Sequence, residues 1–445
     1  MTRHLDLIRL HLGSGPKRAR QLADSIGISQ PTLSRALSGM GDHLVRIGNG
    51  PSIQYALRDA GRGLENIPIY RVNVAGKLSQ LGILIPVLPS GFVMVQEDGK
   101  TLHSDGLPWW MMDMRPQGYL GRAYVAQHAL SLGLPVNLNE WNDAHAMRAL
   151  ISHGHDAVGN LLVGDFARHH FLQMVAPEPI EISGITFSQL AEAAARGEVP
   201  GSSAGGEQPK FTAYVQTEDG PQHVLVKFSA KEDHAITQRW RDLLVAEHLA
   251  LETMREAGIS DTKTQLIDHG AQRFLMAHRF DRVGVFGRRA LFSLSALDAE
   301  FVGLGTGGWH LVTERLAAAG IITADSVRKA SLFYAFGRLI GNSDMHLGNL
   351  SFMSEHGRPY DLAPAYDMLP MAFAPSSGGV LPERISAISI DAGIDHDIWR
   401  EASRLADAYL SALESAQMLS VSFRPCVIAV RGAFNAAMTQ IERLG

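Results

Sequence analysis

Leu339–Phe352 reads LIGNSDMHLGNLSF, and after a short polar turn Arg358–Pro370 reads RPYDLAPAYDMLP. An apolar helical run, Ser331–Ile340, leads into the first segment and stops at Gly341 and Asn342. Leu350–Phe352 reads as a short strand leaving it. Between these apolar pieces stand Asp344, His346, Asn349 and Asp367. Polar side chains on a loop held at both ends by rigid elements are a common setting for catalysis. Asp344 and Asn349 have the Asp-x4-Asn spacing of a protein-kinase catalytic loop, in which the Asp accepts a hydroxyl proton and the Asn holds magnesium. Asp367, after the polar turn, is where a second magnesium ligand is expected. Magnesium is a hard ion that takes oxygen donors, so one carboxylate and one amide suffice beside phosphate oxygens and water. By residue type alone, Asn-Ser-Asp equally suits a plain turn. His346, with no partner histidine, suits bracing of the loop backbone rather than metal ligation.

Upstream, Gly201–Phe211 reads GSSAGGEQPKF. Small residues let backbone N–H groups approach phosphate oxygens. The stretch is neither a Walker A motif nor Gly-x-Gly-x-x-Gly, and alone it reads equally as a surface turn. It gains meaning from the strand-like HVLVKFS (His223–Ser229) that follows. Lys227 alternates there with apolar neighbours and shares a face with Leu225. An inward lysine needs an anionic partner such as a phosphate; the other reading is a surface lysine laid along apolar neighbours. Trp240–Ala257 has a helical pattern with Glu247 in its middle, about twenty residues after Lys227, where a kinase carries the acid that holds its nucleotide lysine. An exposed helical Glu is the plain alternative.

GNSDMHLGN followed by DLAPAYDMLP resembles the HipA family of bacterial serine/threonine kinase toxins, whose catalytic loop runs N-x-D-x-H-x-x-N and whose metal Asp sits in a Y-D pair. The resemblance extends from about Arg71 onward. With the amino-terminal segment included, it is nearest the YjjJ (HipH) branch. It implies an α+β, two-lobed protein-kinase-like fold and a protein kinase using ATP and Mg2+. Asp344 would be catalytic and Asn349 and Asp367 the metal ligands. Ser203, Ala204, Gly205, Gly206, Glu207 and Gln208 would cover the phosphates. Lys227, Glu247, Phe280 and His346 would complete the nucleotide site. AHRFDRVG (Ala277–Gly284) resembles the family's adenine hinge, with His278 where an acid is common; Phe280 is the expected base-packing residue, and Asp281 and Arg282 the structural ones. The serine opening the matching loop is autophosphorylated in the family. That points to Ser203, with Ser202 as its neighbour and alternative, and to loss of nucleotide binding on modification. The resemblance also implies a protein substrate and a HipB-type antitoxin partner. The spacing alone also admits a small-molecule hydroxyl acceptor.

At the amino terminus, Lys17–Met40 places Leu22, Ala23, Ile26, Ile28, Leu33 and Leu37 so that two short helices joined at Gly27 bury them all. Ser29 suits the N-cap and Pro31 the first turn of the second helix. This is a helix-turn-helix pattern, and Gln30, Thr32, Ser34 and Arg35 face outward from the helix that would enter a major groove. His43–Arg58 follows as two strands around a Gly-Asn-Gly-Pro turn, so residues 1–65 read as a winged helix. They carry nine basic against five acidic residues, a balance of +4 on a chain of net charge −5. A DNA partner for this module is the expectation; a small helical protein-interaction module shares the hydrophobic pattern. The chain divides into 1–65 (winged helix), 66–175 (a small subdomain with three β-like runs), 176–284 (amino lobe) and 285–445 (mostly helical carboxy lobe), with Gly61–Pro68 as linker. His153 and His155 lack further ligands at zinc spacing. Asp397–Met418 is an amphipathic run suited to a carboxy-lobe core.

The 445 residues are 46% hydrophobic and 19% charged, with a single cysteine, Cys426. No intrachain disulfide is possible, which fits a reducing compartment. No signal peptide or bilayer-length apolar run is present. A cytoplasmic protein is expected, nucleoid-associated when DNA-bound. The rival reading is a DNA-binding regulator whose kinase-like body is a ligand sensor or inactive scaffold.

Overall fold

The computed structural model describes residues 2–196 and 208–443. Helices Thr2–Leu12, Ala19–Ile26 and Gln30–Ser38 meet over Ile8, Leu12, Leu22, Ala23, Leu33 and Leu37. Gly27 turns the chain at φ +74, a conformation that a Cβ disfavours, and its N–H closes the preceding helix on the Ala23 carbonyl. Ser29 caps the next helix through the Thr32 N–H, and Pro31 occupies its first turn. Leu44–Ile47 and Gln54–Leu57 pair antiparallel, and Lys17–Arg18 adds a third strand.

The expected linker is a packed connection instead. Arg62 holds Asp59 at 2.6 Å, donates to the carbonyls of Val87 and Gly91, and lies over the Phe92 ring. Leu88 donates to the Leu57 carbonyl, and Val45, Ile47 and Ala56 bury against Val87 and Val93. A guanidinium that satisfies backbone carbonyls removes the freedom that the Gly-rich composition of Gly61–Pro68 suggests.

The next unit is a five-stranded sheet, in spatial order Thr101–Ser104, Gly91–Gln96, Leu78–Val87, Ile67–Val72 and Leu161–Val163, antiparallel throughout. Helices Asp143–His153 and Gly164–Gln173 pack on it. Trp109 packs on Phe292 and Phe301, and Tyr119 packs on Phe228, so these aromatics join the unit to both lobes beyond it.

The amino lobe is a second five-stranded sheet, ordered Thr264–His269, Gln272–His278, Gly220–Phe228, Lys210–Thr217 and Ile180–Glu181. Helix Ala235–Glu256 packs beside it and buries Leu243, Val245, Ala250 and Met254. The carboxy lobe is helical. Helix Ala324–Leu339 contributes Phe333, Phe336 and Leu339, and helix His396–Ser415 contributes Trp399, Ala402, Ala406, Tyr409 and Leu413. Those spacings put one apolar stripe on each helix, and each large side chain stabilises the packing by about 1.5–3 kcal/mol. A small sheet of Ala290–Ser293, Ser351–Ser354 and Asp361–Leu362 carries the loop between the lobes. No described helix is long and apolar enough to cross a membrane.

Candidate active site

Helix Ala324–Leu339 ends at Ile340, and Gly341 at φ +80 turns the chain out of it. Asn342 follows, buried at 3% exposure. Its side-chain oxygen accepts the Asp344 N–H at 3.0 Å, and its amide donates to the Asp367 carbonyl at 3.0 Å. One side chain thus ties the two polar stretches together. Asp344 itself is half exposed. Asn349 donates its amide to the Asp344 carbonyl at 2.7 Å, which leaves its side-chain oxygen uncommitted. His346 takes the Gly348 N–H on Nδ1 at 3.0 Å, and its carbonyl accepts from Trp309 Nε1 and from the Asn349 N–H. It braces the loop, as its lone position suggested.

Asp367 is the only non-glycine with positive φ, +53, among the described residues. Such a conformation costs roughly 1–3 kcal/mol and collects at functional sites. The backbone turn presents its carboxylate to Lys227, which it contacts directly. Lys227 also meets Glu247 Oε1 at 2.5 Å. Burial would strip the proton from Lys227, but Asp367 and Glu247 outweigh it and hold the ammonium firmly charged. Burial likewise works against Asp367, yet Lys227 and Lys210 keep its carboxyl below the usual range. Glu247 goes the other way: burial, with Asp367 beside it, raises it despite Lys227. Its second oxygen is buried without a hydrogen-bond partner.

The sequence reading missed Lys210. It faces Lys227 in register across the antiparallel pair, is 3% exposed, and lines the same cleft. Counting back from the turn Thr217–Gly220 gives that pairing, so the hairpin carried the signal. Two buried lysines thus stand with the buried Glu247 and the part-buried Asp367 along one cleft. Tyr366, also missed, donates to the Gly348 carbonyl, contacts Ser351 and stands 6.0 Å from the Phe280 ring. Burial pushes its hydroxyl well above the usual phenol range.

A cleft of about 1170 Å³ joins these groups. Lys227, Glu247, Asn349 and Asp367 line it, as do the apolar Leu225, Ala277 and Phe280, with His278 beside them. Ser203, Ala204, Gly205, Gly206 and Glu207 lie outside the described residues; Gln208 is half-buried at the foot of strand Lys210–Thr217. Asp281 and Arg282 are buried in ion pairs. His153 stacks on His128, His155 lies tilted against His170, and among the described residues no group of three potential ligands surrounds a metal position. Magnesium fits at Asn349 and Asp367 by donor chemistry: one carboxylate held ionised and one amide oxygen uncommitted. Gln30, Ser34 and Arg35 are exposed on helix Gln30–Ser38, and Thr32 is turned back to its cap, 2.9 Å from Ser29 Oγ.

Residues 64–172 match the family described as YjjJ-like toxin, middle domain, and residues 202–423 match the HipA-like C-terminal domain. The chain is 40% identical over 436 residues to Toxin YjjJ of Escherichia coli (strain K12), covering 97% of this chain and 98% of that one. Among solved structures it matches the Shewanella oneidensis MR-1 toxin–antitoxin complex of HipA, HipB and operator DNA. The TM-score is 0.52 at 16% identity, over 85% of this chain and 97% of the matched one.

Proposed function

Because the chain belongs to the YjjJ-like toxin family and has a HipA-like fold, we propose that it is an ATP- and magnesium-dependent serine/threonine protein kinase with its own DNA-binding module. The observation that carries the reading is the Glu247–Lys227–Asp367 chain, with Lys227 and Glu247 buried, in a cleft that Asn349 also lines. Lys227 and Lys210 neutralise the nucleotide's phosphates. Glu247 keeps Lys227 extended into the cleft. Asp344 orients the acceptor hydroxyl and takes its proton as the oxygen forms its bond to the γ-phosphorus and the bond to ADP breaks. Asn349 and Asp367 would hold a magnesium ion, which would neutralise charge on the phosphate oxygens. Asn342 and Tyr366 fix the loop from beneath. Phosphoryl transfer asks a protein chiefly for position and charge, and each of these residues supplies one of the two.

Residues 1–65 would bind duplex DNA through helix Gln30–Ser38, with Leu44–Leu57 as the wing. A protein substrate and a HipB-type partner fit the family.

The test is thermal stabilisation by ATP, with and without magnesium, in the wild type and in Lys227→Met. Magnesium-dependent stabilisation of the wild type and its loss in the variant is the expected result. Equal shifts in the two proteins would remove Lys227 from the nucleotide site.

A further inference from the structure

The apolar end of the cleft is not built by the two lobes alone. The turn Asp156–Gly159, from the unit that precedes them, reaches under the hinge. Val158 lines the cleft with Phe280 and Ala277. Asp156 binds Arg282 Nη2 at 2.8 Å and lies 3.6 Å from Arg279 Nη1. Arg279 in turn grips Asp281 with Nε at 3.0 Å and Nη2 at 2.9 Å. Arg282 returns to the turn, donating to the carbonyls of Gly159 and Ala157 at 3.0 and 2.9 Å. The Gly159 N–H closes the ring on Asp281 Oδ2 at 3.2 Å.

Phe280 sits between Arg279 and Asp281, so its backbone is clamped on both sides by this network. Gly159 stands at φ +81, with Leu291 backbone 3.5 Å from the position of a Cβ. Three guanidiniums, of Arg279, Arg282 and Arg288, meet two carboxylates, Asp156 and Asp281. With a surplus of positive charge, the network depends on each carboxylate.

We propose that the turn Asp156–Gly159 is part of the nucleotide's base site, with Asp156 as a positioning residue for the hinge and Val158 as a contact to the base. This rests on the kinase reading above. It makes the preceding unit a component of nucleotide recognition rather than an appendage. The base end of ATP is affected and the phosphate end is not, because Lys227 and Lys210 belong to the other arm of the cleft.

The experiment uses the full chain and calorimetric titration with ATP, adenosine and inorganic tripolyphosphate. Asp156→Asn is expected to weaken ATP and adenosine by the same factor, roughly tenfold, the scale of one lost charge-assisted hydrogen bond. Tripolyphosphate binding stays at its wild-type value, and Asp156→Glu recovers part of the loss. Loss of all three ligands together, or unchanged adenosine binding, overturns the proposal. Should Asp156→Asn fail to fold, Val158→Ala is read in the same way: weaker adenosine with unchanged tripolyphosphate supports the base site, and unchanged adenosine refutes it. A wild type that binds no ATP refutes the kinase reading, whereas a wild type that binds it and variants that match it refute only this proposal.

Discussion

Replacing Asn342 with alanine removes a buried side chain that joins Asp344 to Asp367, and the structure sets the size of the effect. Two hydrogen bonds of 3.0 Å disappear. The Asp344 N–H lies on a half-exposed loop, where water can replace the lost acceptor, so that bond costs about 1 kcal/mol. The Asp367 carbonyl loses its donor in a part-buried setting beneath the loop, which costs about 1–3 kcal/mol. Together the variant should lose about 2–4 kcal/mol of stability, read as a shift of the urea midpoint for the kinase body. Activity should fall further than stability explains. Asp367 is held at φ +53, and without the Asn342 amide the backbone can relax and carry the carboxylate off its line to Lys227. Misplacement of about 1 Å can cost roughly a hundredfold in rate. Asn342→Asp separates the two bonds: it keeps the acceptor for Asp344 but replaces the donor to Asp367 with an anion, so it should match alanine in lost activity. An alanine variant with wild-type kcat and an unmoved midpoint would refute the argument.

Burial, aided by the His170 ring, lowers His155 to about 4. The unfolded chain therefore takes up a proton between about pH 6.5 and 4 that the native state refuses, and stability should fall as pH drops through that window. His155→Gln should flatten the fall in a pH series of melting curves; an unchanged profile would count against it. The isolated affinity of the chain for duplex DNA should decline steeply with salt, through counterion release, and Arg35→Ala should weaken it by about 1–3 kcal/mol. Filter binding at several salt concentrations checks both, and salt-independent binding would remove DNA as the partner of the first module.

The polar loop after Gly341 was legible because its residues are close in sequence and interrupt apolar runs. Lys227 and Glu247 were legible because strand alternation and a mid-helix position constrain them. Asn342 was read as a helix end and a loop-motif residue without its partner, since its bond to Asp367 spans a turn and a strand that no local pattern reports. Lys210 belongs to a cross-strand pair, and a pair becomes visible only once the hairpin register is worked out. Val158 joins the cleft, and Asp156 meets Arg282, across more than a hundred residues of chain, beyond any periodicity. The linker was misjudged because glycine and proline suggested freedom, while a single arginine, Arg62, fixed the segment to the neighbouring sheet. Helix Thr2–Leu12 was not drawn from its sequence, where charges interrupt the apolar stripe of Ile8 and Leu12.

The central claim is phosphoryl transfer at Asp344. The direct measurement is transfer of labelled γ-phosphate from ATP with magnesium to protein hydroxyls, comparing wild type with Asp344→Ala. The variant should bind ATP as the wild type does, since Asp344 stands half exposed apart from the Lys227 chain, and should transfer at least roughly a hundredfold more slowly, the scale of general-base removal. Equal transfer by the two proteins, or none by a wild type that binds ATP-magnesium, would contradict the account.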